Sequence, residues 1–126
     1  MKVAIIGSRG LEVPDLDKYI PPETTEIVSG GAKGVDTSAR LFARMKGFKL
    51  TEFFPEYDKY NRAAPLKRNI QIIEYADVVL AFWDGKSRGT KFVIDNCRER
   101  GIPCTIFLPN SMRDCGVVGT NWSSPQ

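Results

Sequence analysis

The sequence predicts an α/β domain, a three-layer sandwich with a mainly parallel five-stranded sheet between helices. Three observations predict it. Five short apolar runs recur at residues 2–6, 26–29, 49–54, 77–83 and 104–108, stretches of helical spacing separate them, and no long hairpin signal joins neighbouring runs. Runs that stay apolar instead of alternating mark strands buried on both faces, which is the condition of a parallel sheet covered by helices. At 126 residues the chain has the length of a single domain. That domain is placed at residues 1–108, with 109–126 as a tail, either docked or partly disordered.

The elements follow in order. Residues 2–6 form a β-branched strand that stops at Gly7. Pro14 and Asp15 open a weak helical stretch that ends near Ile20, before Pro21 and Pro22. The second strand, 26–29, ends at Gly30 and Gly31. From Gly34 onward, Val35, Ala39, Phe42, Ala43 and Lys46 recur at spacings of three and four, a helix that Gly47 terminates. The third strand, 49–54, precedes a polar loop at 55–65, and Leu66, Ile70 and Ile73 mark one face of the next helix. Residues 77–83 (DVVLAFW) are the clearest central strand, closed by Asp84 and Gly85. A helix at 90–100 turns Val93 and Cys97 inward, Gly101 caps it, Pro103 forbids its continuation, and 104–108 is the fifth strand. Right-handed crossovers and the usual reversal of strand order place the first and fourth strands side by side, with their outgoing loops diverging into a crevice.

Composition narrows the chemistry. The chain is 42% hydrophobic and 26% charged, with no apolar run near the roughly 18 residues a membrane span needs. The opening MKVAIIGSRG is too soon interrupted for a signal peptide, so a cytoplasmic location is expected. Cys97, Cys104 and Cys115 lack zinc-site spacing and read as small buried hydrophobes, so neither a metal nor a cofactor is expected. Histidine is absent, which removes Ser-His and Cys-His nucleophilic pairs and the near-neutral proton shuttle. The net charge of +3 permits anionic ligands, but with no long basic stripe it counts against nucleic acid.

The unusual residues all follow strands. Gly7, Ser8, Arg9 and Gly10 follow the first; Gly30, Gly31, Lys33, Gly34 and Asp36 the second; Asp84, Gly85, Lys86, Ser87, Arg88, Gly89 and Thr90 the fourth. In an open parallel sheet these loops share one edge, where glycines let backbone N–H groups approach an anion and helix starts add partial positive charge. Between Lys59 and Arg68 stand four positive residues and no negative one. Arg9 and Arg68 are the candidate ligand-neutralising arginines, and Tyr57, Tyr60 and Trp83 could stack on a base or wall the crevice. The phosphate-loop pattern of nucleoside triphosphatases is missing, and the second strand ends at Ser29 where a dinucleotide site would offer an acid to the ribose.

The joint occurrence of IIGSRG (5–10), VSGGAKGVDTSAR (28–40), FFPEYDKY (53–60), Arg68-Asn69, ADVVLAFWDGKSRGT (76–90) and GIPCTIF (101–107) resembles the YspA-related branch of the SLOG superfamily. The likeness covers roughly residues 2–108. It implies a Rossmann-like sheet and a nucleotide or nucleotide-derived ligand, an ADP-ribose-like molecule or a nucleoside phosphate. Carried onto this chain, it puts Gly7, Ser8 and Arg9 at the first loop, Gly30 and Gly31 under a phosphate, and Asp36 just inside the following helix. Ser87, Gly89 and Thr90 fall where the related lonely-guy phosphoribohydrolases keep the end of their phosphate loop, but Val93 stands where those enzymes keep a glutamate.

The expected function is therefore binding of a nucleotide-derived small molecule, in a sensory or regulatory role. The expected ligand residues are Gly7, Ser8, Arg9, Gly30, Gly31, Lys33, Gly34, Asp36, Tyr57, Arg68, Asn69, Trp83, Asp84, Gly85, Ser87, Gly89 and Thr90. One alternative is a hydrolase of a nucleotide N-glycosidic or phosphate linkage, whose carboxylate would have to be Asp84, Asp36 or Glu56. The other is a nucleic-acid-binding module like that of the DNA-uptake protein DprA. A homodimer is expected, because related proteins pair and Met112, Val117, Val118 and Trp122 of the tail could pack against a second copy.

Overall fold

The computed structural model describes residues 1–31 and 34–108. Lys33, Cys115 and the tail residues Met112, Val117, Val118 and Trp122 lie outside the described residues. Five strands, β1 (Lys2–Gly7), β2 (Glu26–Ser29), β3 (Lys49–Glu52), β4 (Val78–Phe82) and β5 (Cys104–Phe107), form one sheet in the order β3-β2-β1-β4-β5. All neighbours run parallel, with Val3 opposite both Ile27 and Val78, and Ile5 opposite Leu80. This is a Rossmann-like three-layer α/β sandwich. β1 and β4 stand side by side, as the reversal of strand order requires.

Period-two alternation divides the core. Val3 and Ile5 join Ile27, Leu80, Phe82 and Phe107 beneath helix α1 (Val35–Lys46), which buries Val35, Ala39, Phe42 and Ala43. Ala4 and Ile6 join Val28, Val79, Ala81 and Ile106 on the opposite face. There they pack with Ile72 and Ile73 of α3 (Ala64–Tyr75) and with Val93, Ile94 and Cys97 of α4 (Arg88–Arg100). Beside α1, Phe82 stacks on Phe107 at 4.8 Å between ring centroids, and Tyr19 meets both rings edge-on. Gly47 and Gly101 end α1 and α4 at φ 73° and 71°, the left-handed conformation expected of helix-terminating glycines.

Four local expectations are corrected. The stretch at 14–20 makes only one 3-10 turn, Leu16–Lys18, because so short a segment cannot repay helix nucleation and Asp15 makes no side-chain cap. The third strand's ladder stops at Glu52, two residues early, although the Phe53 amide still donates to the Ser29 carbonyl at 2.9 Å. The loop at 55–65 is partly helical. It holds the single turn α2 (Tyr57–Tyr60), a 3-10 turn at Asn61–Ala63, and the first residues of α3, where Pro65 lacks only an amide that has no partner in a first turn. On α3 the buried pair is Ile72 and Ile73, while Leu66 is exposed because it borders a cleft.

Among the described residues, no helix is long and apolar enough to cross a membrane.

Candidate functional site

The carboxyl ends of β1, β2 and β4 open into a cleft of about 390 Å³, within the range of small-molecule sites. Its floor is the end of β1, where Gly7 brings the backbone against α1. A Cβ on Gly7 would stand 2.6 Å from the Phe82 carbonyl oxygen and 2.6 Å from Val35 Cγ2. Ser8, almost wholly buried, ties the first and fourth loops together. Its amide donates to the Phe82 carbonyl at 3.0 Å and its hydroxyl accepts from the Asp84 amide at 3.1 Å.

One wall is the start of α4. Asp84 organises the turn before it, its carboxylate accepting from the Lys86 and Ser87 amides at 2.8 Å each and from the Ser87 hydroxyl at 3.0 Å. The Ser87 and Lys86 amides, with lesser help from the Ser87 and Ser8 hydroxyls, hold the Asp84 carboxyl down to about 2 against the opposing effect of burial. The indole of Trp83 donates to the Ser87 carbonyl at 3.0 Å and braces the same turn. The first helical bond of α4 runs from the Lys91 amide to the Ser87 carbonyl, so the amides of Arg88, Gly89 and Thr90 have no intrahelical acceptor. The Thr90 side chain lines the cleft, is only 5% exposed, and makes no hydrogen bond among the described residues.

The other wall joins the second loop to α3. The Arg68 guanidinium donates through Nη1 to the Gly30 carbonyl at 2.5 Å and through Nε to Asn69 Oδ1 at 2.9 Å. Asp36, buried in the first turn of α1, lies beside it: a Cβ on Gly30 would stand 2.6 Å from Arg68 Nη1 and 3.1 Å from Asp36 Oδ2. Burial pushes the Arg68 guanidinium below its ordinary value, and the Asp36 charge opposes the shift.

Of the residues expected at the ligand, Gly7, Ser8, Arg9, Gly30, Asp36, Arg68, Asn69, Ser87, Gly89 and Thr90 line this cleft together. Gly31, Gly34, Trp83, Asp84 and Gly85 belong to the surrounding loops without lining it, and Lys33 is outside the described residues. Tyr57 and Glu56 border a separate surface depression with Pro55, Asp58 and Lys59. Of the three candidate carboxylates, Asp36 alone lines the cleft, and the Asp84 carboxylate is engaged by its own turn.

Among curated proteins, the Gene 61 protein of Mycobacterium phage D29 is 34% identical over 87 residues, spanning 64% of this chain and 70% of the phage protein. The chain belongs to the Gene 61 protein family. No protein-family model matches it, and no solved structure matches it significantly.

In this member of the Gene 61 protein family, charge pairing sets the cleft apart. The ion pairs of the described residues engage Lys18, Arg40, Lys46, Lys49, Lys91 and Arg100, none of which lines the cleft. Arg9 and Arg88 line it, and neither is in any of these pairs. Sequence reasoning placed Arg88 in the fourth loop without assigning it to the ligand; its position one residue past Ser87 was the available signal.

A second polar cluster went unread. At the opposite sheet edge, Glu26 of β2 accepts from the Thr51 hydroxyl and the Tyr75 phenol at 2.6 Å each, with Lys49 Nζ 3.8 Å away. Burial works to raise its carboxyl, but the hydroxyl donors with Lys49 and Lys2 outweigh it and leave the pKa lowered. Its partners come from three separate segments, so no local pattern announces it.

Proposed function

We propose that this chain binds a nucleotide or nucleotide-derived anion in the cleft at the carboxyl edge of its sheet, in a sensory or regulatory capacity, as a member of the YspA-related branch of the SLOG superfamily. The coarser ground is the fold: a Rossmann-like α/β domain is compatible with nucleotide binding in general. The observation that carries the reading is the start of α4. Three amides without intrahelical acceptors, the hydroxyl of the buried Thr90, which has no hydrogen bond among the described residues, and Arg88 and Arg9, outside the ion pairs of the described residues, converge on one cleft. Backbone donors at a helix start with cationic side chains suit a phosphate group.

Hydrolysis is the weaker reading. Val93, an apolar side chain, lines the cleft where the related phosphoribohydrolases keep a glutamate, and Asp84 serves its own turn. Only Asp36 keeps that reading open.

Native mass spectrometry of freshly purified protein, followed by titration calorimetry with AMP and ADP-ribose, tests the proposal. A retained nucleotide mass, or saturable binding of either compound, is expected. Absence of both a retained nucleotide and binding of any phosphorylated ligand would overturn it.

A further inference from the structure

We infer that an exposed apolar lip on the Arg68 side of the cleft, formed by Phe54 and Leu66 with Tyr57 beside them, takes the base of a nucleotide whose phosphate lies at the start of α4. This rests on the anion-binding reading above and adds the surface that tells a nucleotide from other phosphate esters.

Among the described residues, five large apolar side chains are exposed: Leu41, Met45, Phe54, Tyr57 and Leu66. Leu41 and Met45 stand on α1 beyond its first turn. The other three come from residues 54–66, between β3 and the first turn of α3, and each is tied to Arg68. Leu66 lines the cleft together with Arg68. The Phe54 ring lies against Gly31, where a Cβ would overlap it, and the carbonyl of the neighbouring Gly30 accepts from Arg68 Nη1. The Arg68 guanidinium is shaped first by burial, and the charges that reach it are those of Asp36, the Tyr57 phenol and Arg9. Scattered single apolar residues are ordinary on a surface, but three gathered at the lip of a cleft mark a surface that a ligand covers.

Charge alone does not orient the ligand, because Arg9 and Arg68 act on one side of the cleft and Arg88 with the α4 amides on the other. The apolar surface does. The α4 start presents Ser87, Arg88, Gly89 and Thr90, which supply donors and a cation but no aromatic ring. Gly30 follows β2 and the α4 start follows β4, on either side of β1, so at ordinary strand spacing the two are roughly 10 Å apart. A base held off from its phosphate by a ribose spans that gap. At the lip a planar aromatic ring suits its surroundings, since phenyl rings and guanidinium planes both stack on a π face. A sugar hydroxyl would find no partner on Phe54 or Leu66.

Titration calorimetry with AMP and ribose 5-phosphate tests this on the wild-type protein and on Phe54→Ala, with sedimentation equilibrium of both proteins. Ribose 5-phosphate keeps the phosphate and the ribose and lacks the base. The wild type should bind AMP about tenfold or more tightly than ribose 5-phosphate. Phe54→Ala should weaken AMP about fivefold to tenfold and leave ribose 5-phosphate unchanged, a split that loss of structure would not give, and both proteins should sediment at the same mass. Leu66→Ala, on the same lip, should give the same split and replaces Phe54→Ala if that variant fails to fold. Equal wild-type affinity for the two ligands, or equal weakening of both in the variants, overturns the inference and leaves the anion site standing. Unchanged AMP affinity in the variants overturns it as well, and a fall in their sedimenting mass would then assign the lip to a second copy of the chain. Wild-type protein that binds neither ligand removes the anion site and this inference together.

Discussion

Gly30→Ala should disarm the cleft by displacing Arg68. The Gly30 φ lies outside the left-handed region, so alanine fits the backbone and the effect is steric. The new methyl would stand 2.6 Å from Arg68 Nη1 and 2.9 Å from Cζ, closer than real contacts allow, and a tight 3.1 Å from Asp36 Oδ2. The guanidinium must swing away and give up its 2.5 Å bond to the Gly30 carbonyl. A hydrogen bond to a charged group contributes about 1.5–3 kcal/mol, of which water entering the cleft returns part, so a stability loss of about 1 kcal/mol is expected. If Arg68 also orders the ligand end of the cleft, AMP affinity should fall about tenfold. Urea unfolding and titration calorimetry on Gly30→Ala, Arg68→Ala and the double variant measure both effects. Because the methyl acts through the guanidinium, Gly30→Ala should cost almost nothing further once Arg68 is alanine. Additive losses, or an unchanged Gly30→Ala protein, would refute the reasoning.

Gly7→Ala should be worse for folding than Gly30→Ala, because the methyl meets the Phe82 carbonyl, a backbone atom that cannot step aside; a loss of about 2 kcal/mol in urea unfolding is expected. Asp84→Asn probes the turn before α4. The Asp84 pKa is lowered to about 2, so its contribution is present above the unfolded carboxyl value near 4 and is lost as pH falls through about 2. Discounted for solvent screening, that contribution is about 1 kcal/mol, and wild type minus Asp84→Asn stability should shrink between pH 5 and pH 2; a difference that grows on acidification contradicts the assignment. Arg9→Ala and Arg88→Ala should each weaken AMP about threefold to tenfold at low salt without moving the unliganded melting temperature, as expected of side chains outside the ion pairs of the described residues. Incubation with millimolar AMP should release adenine no faster from the wild type than from Asp36→Asn, as followed by chromatography over hours; faster release would make the hydrolytic reading the better one.

The sheet was legible because its strands are buried on both faces, so 2–6, 26–29 and 77–83 read as unbroken apolar runs, and glycines at positions 47 and 101 marked the helix ends. The segment at 55–65 was opaque for the opposite reason. α2 buries nothing, so no apolar stripe distinguishes it from loop. Leu66 misled because it borders the cleft, where an exposed apolar residue looks in sequence like a core residue. Within the site, the glycines and Ser8 were readable from their place after strands. The pairing of Gly30 with Arg68, and the use of Asp84 by its own turn, depend on bonds between loops that residue spacing does not express.

Backbone amide shifts during an AMP titration test the central claim most directly, because the claim concerns where an anion sits. In two-dimensional proton–nitrogen NMR spectra, the amides of Ser8, Arg9, Arg88, Gly89 and Thr90 should move most and saturate together. Those of Lys2 and Glu26, at the opposite sheet edge, should stay still. A map centred on that opposite edge or on α2, or spectra that do not change at millimolar AMP, would contradict the account.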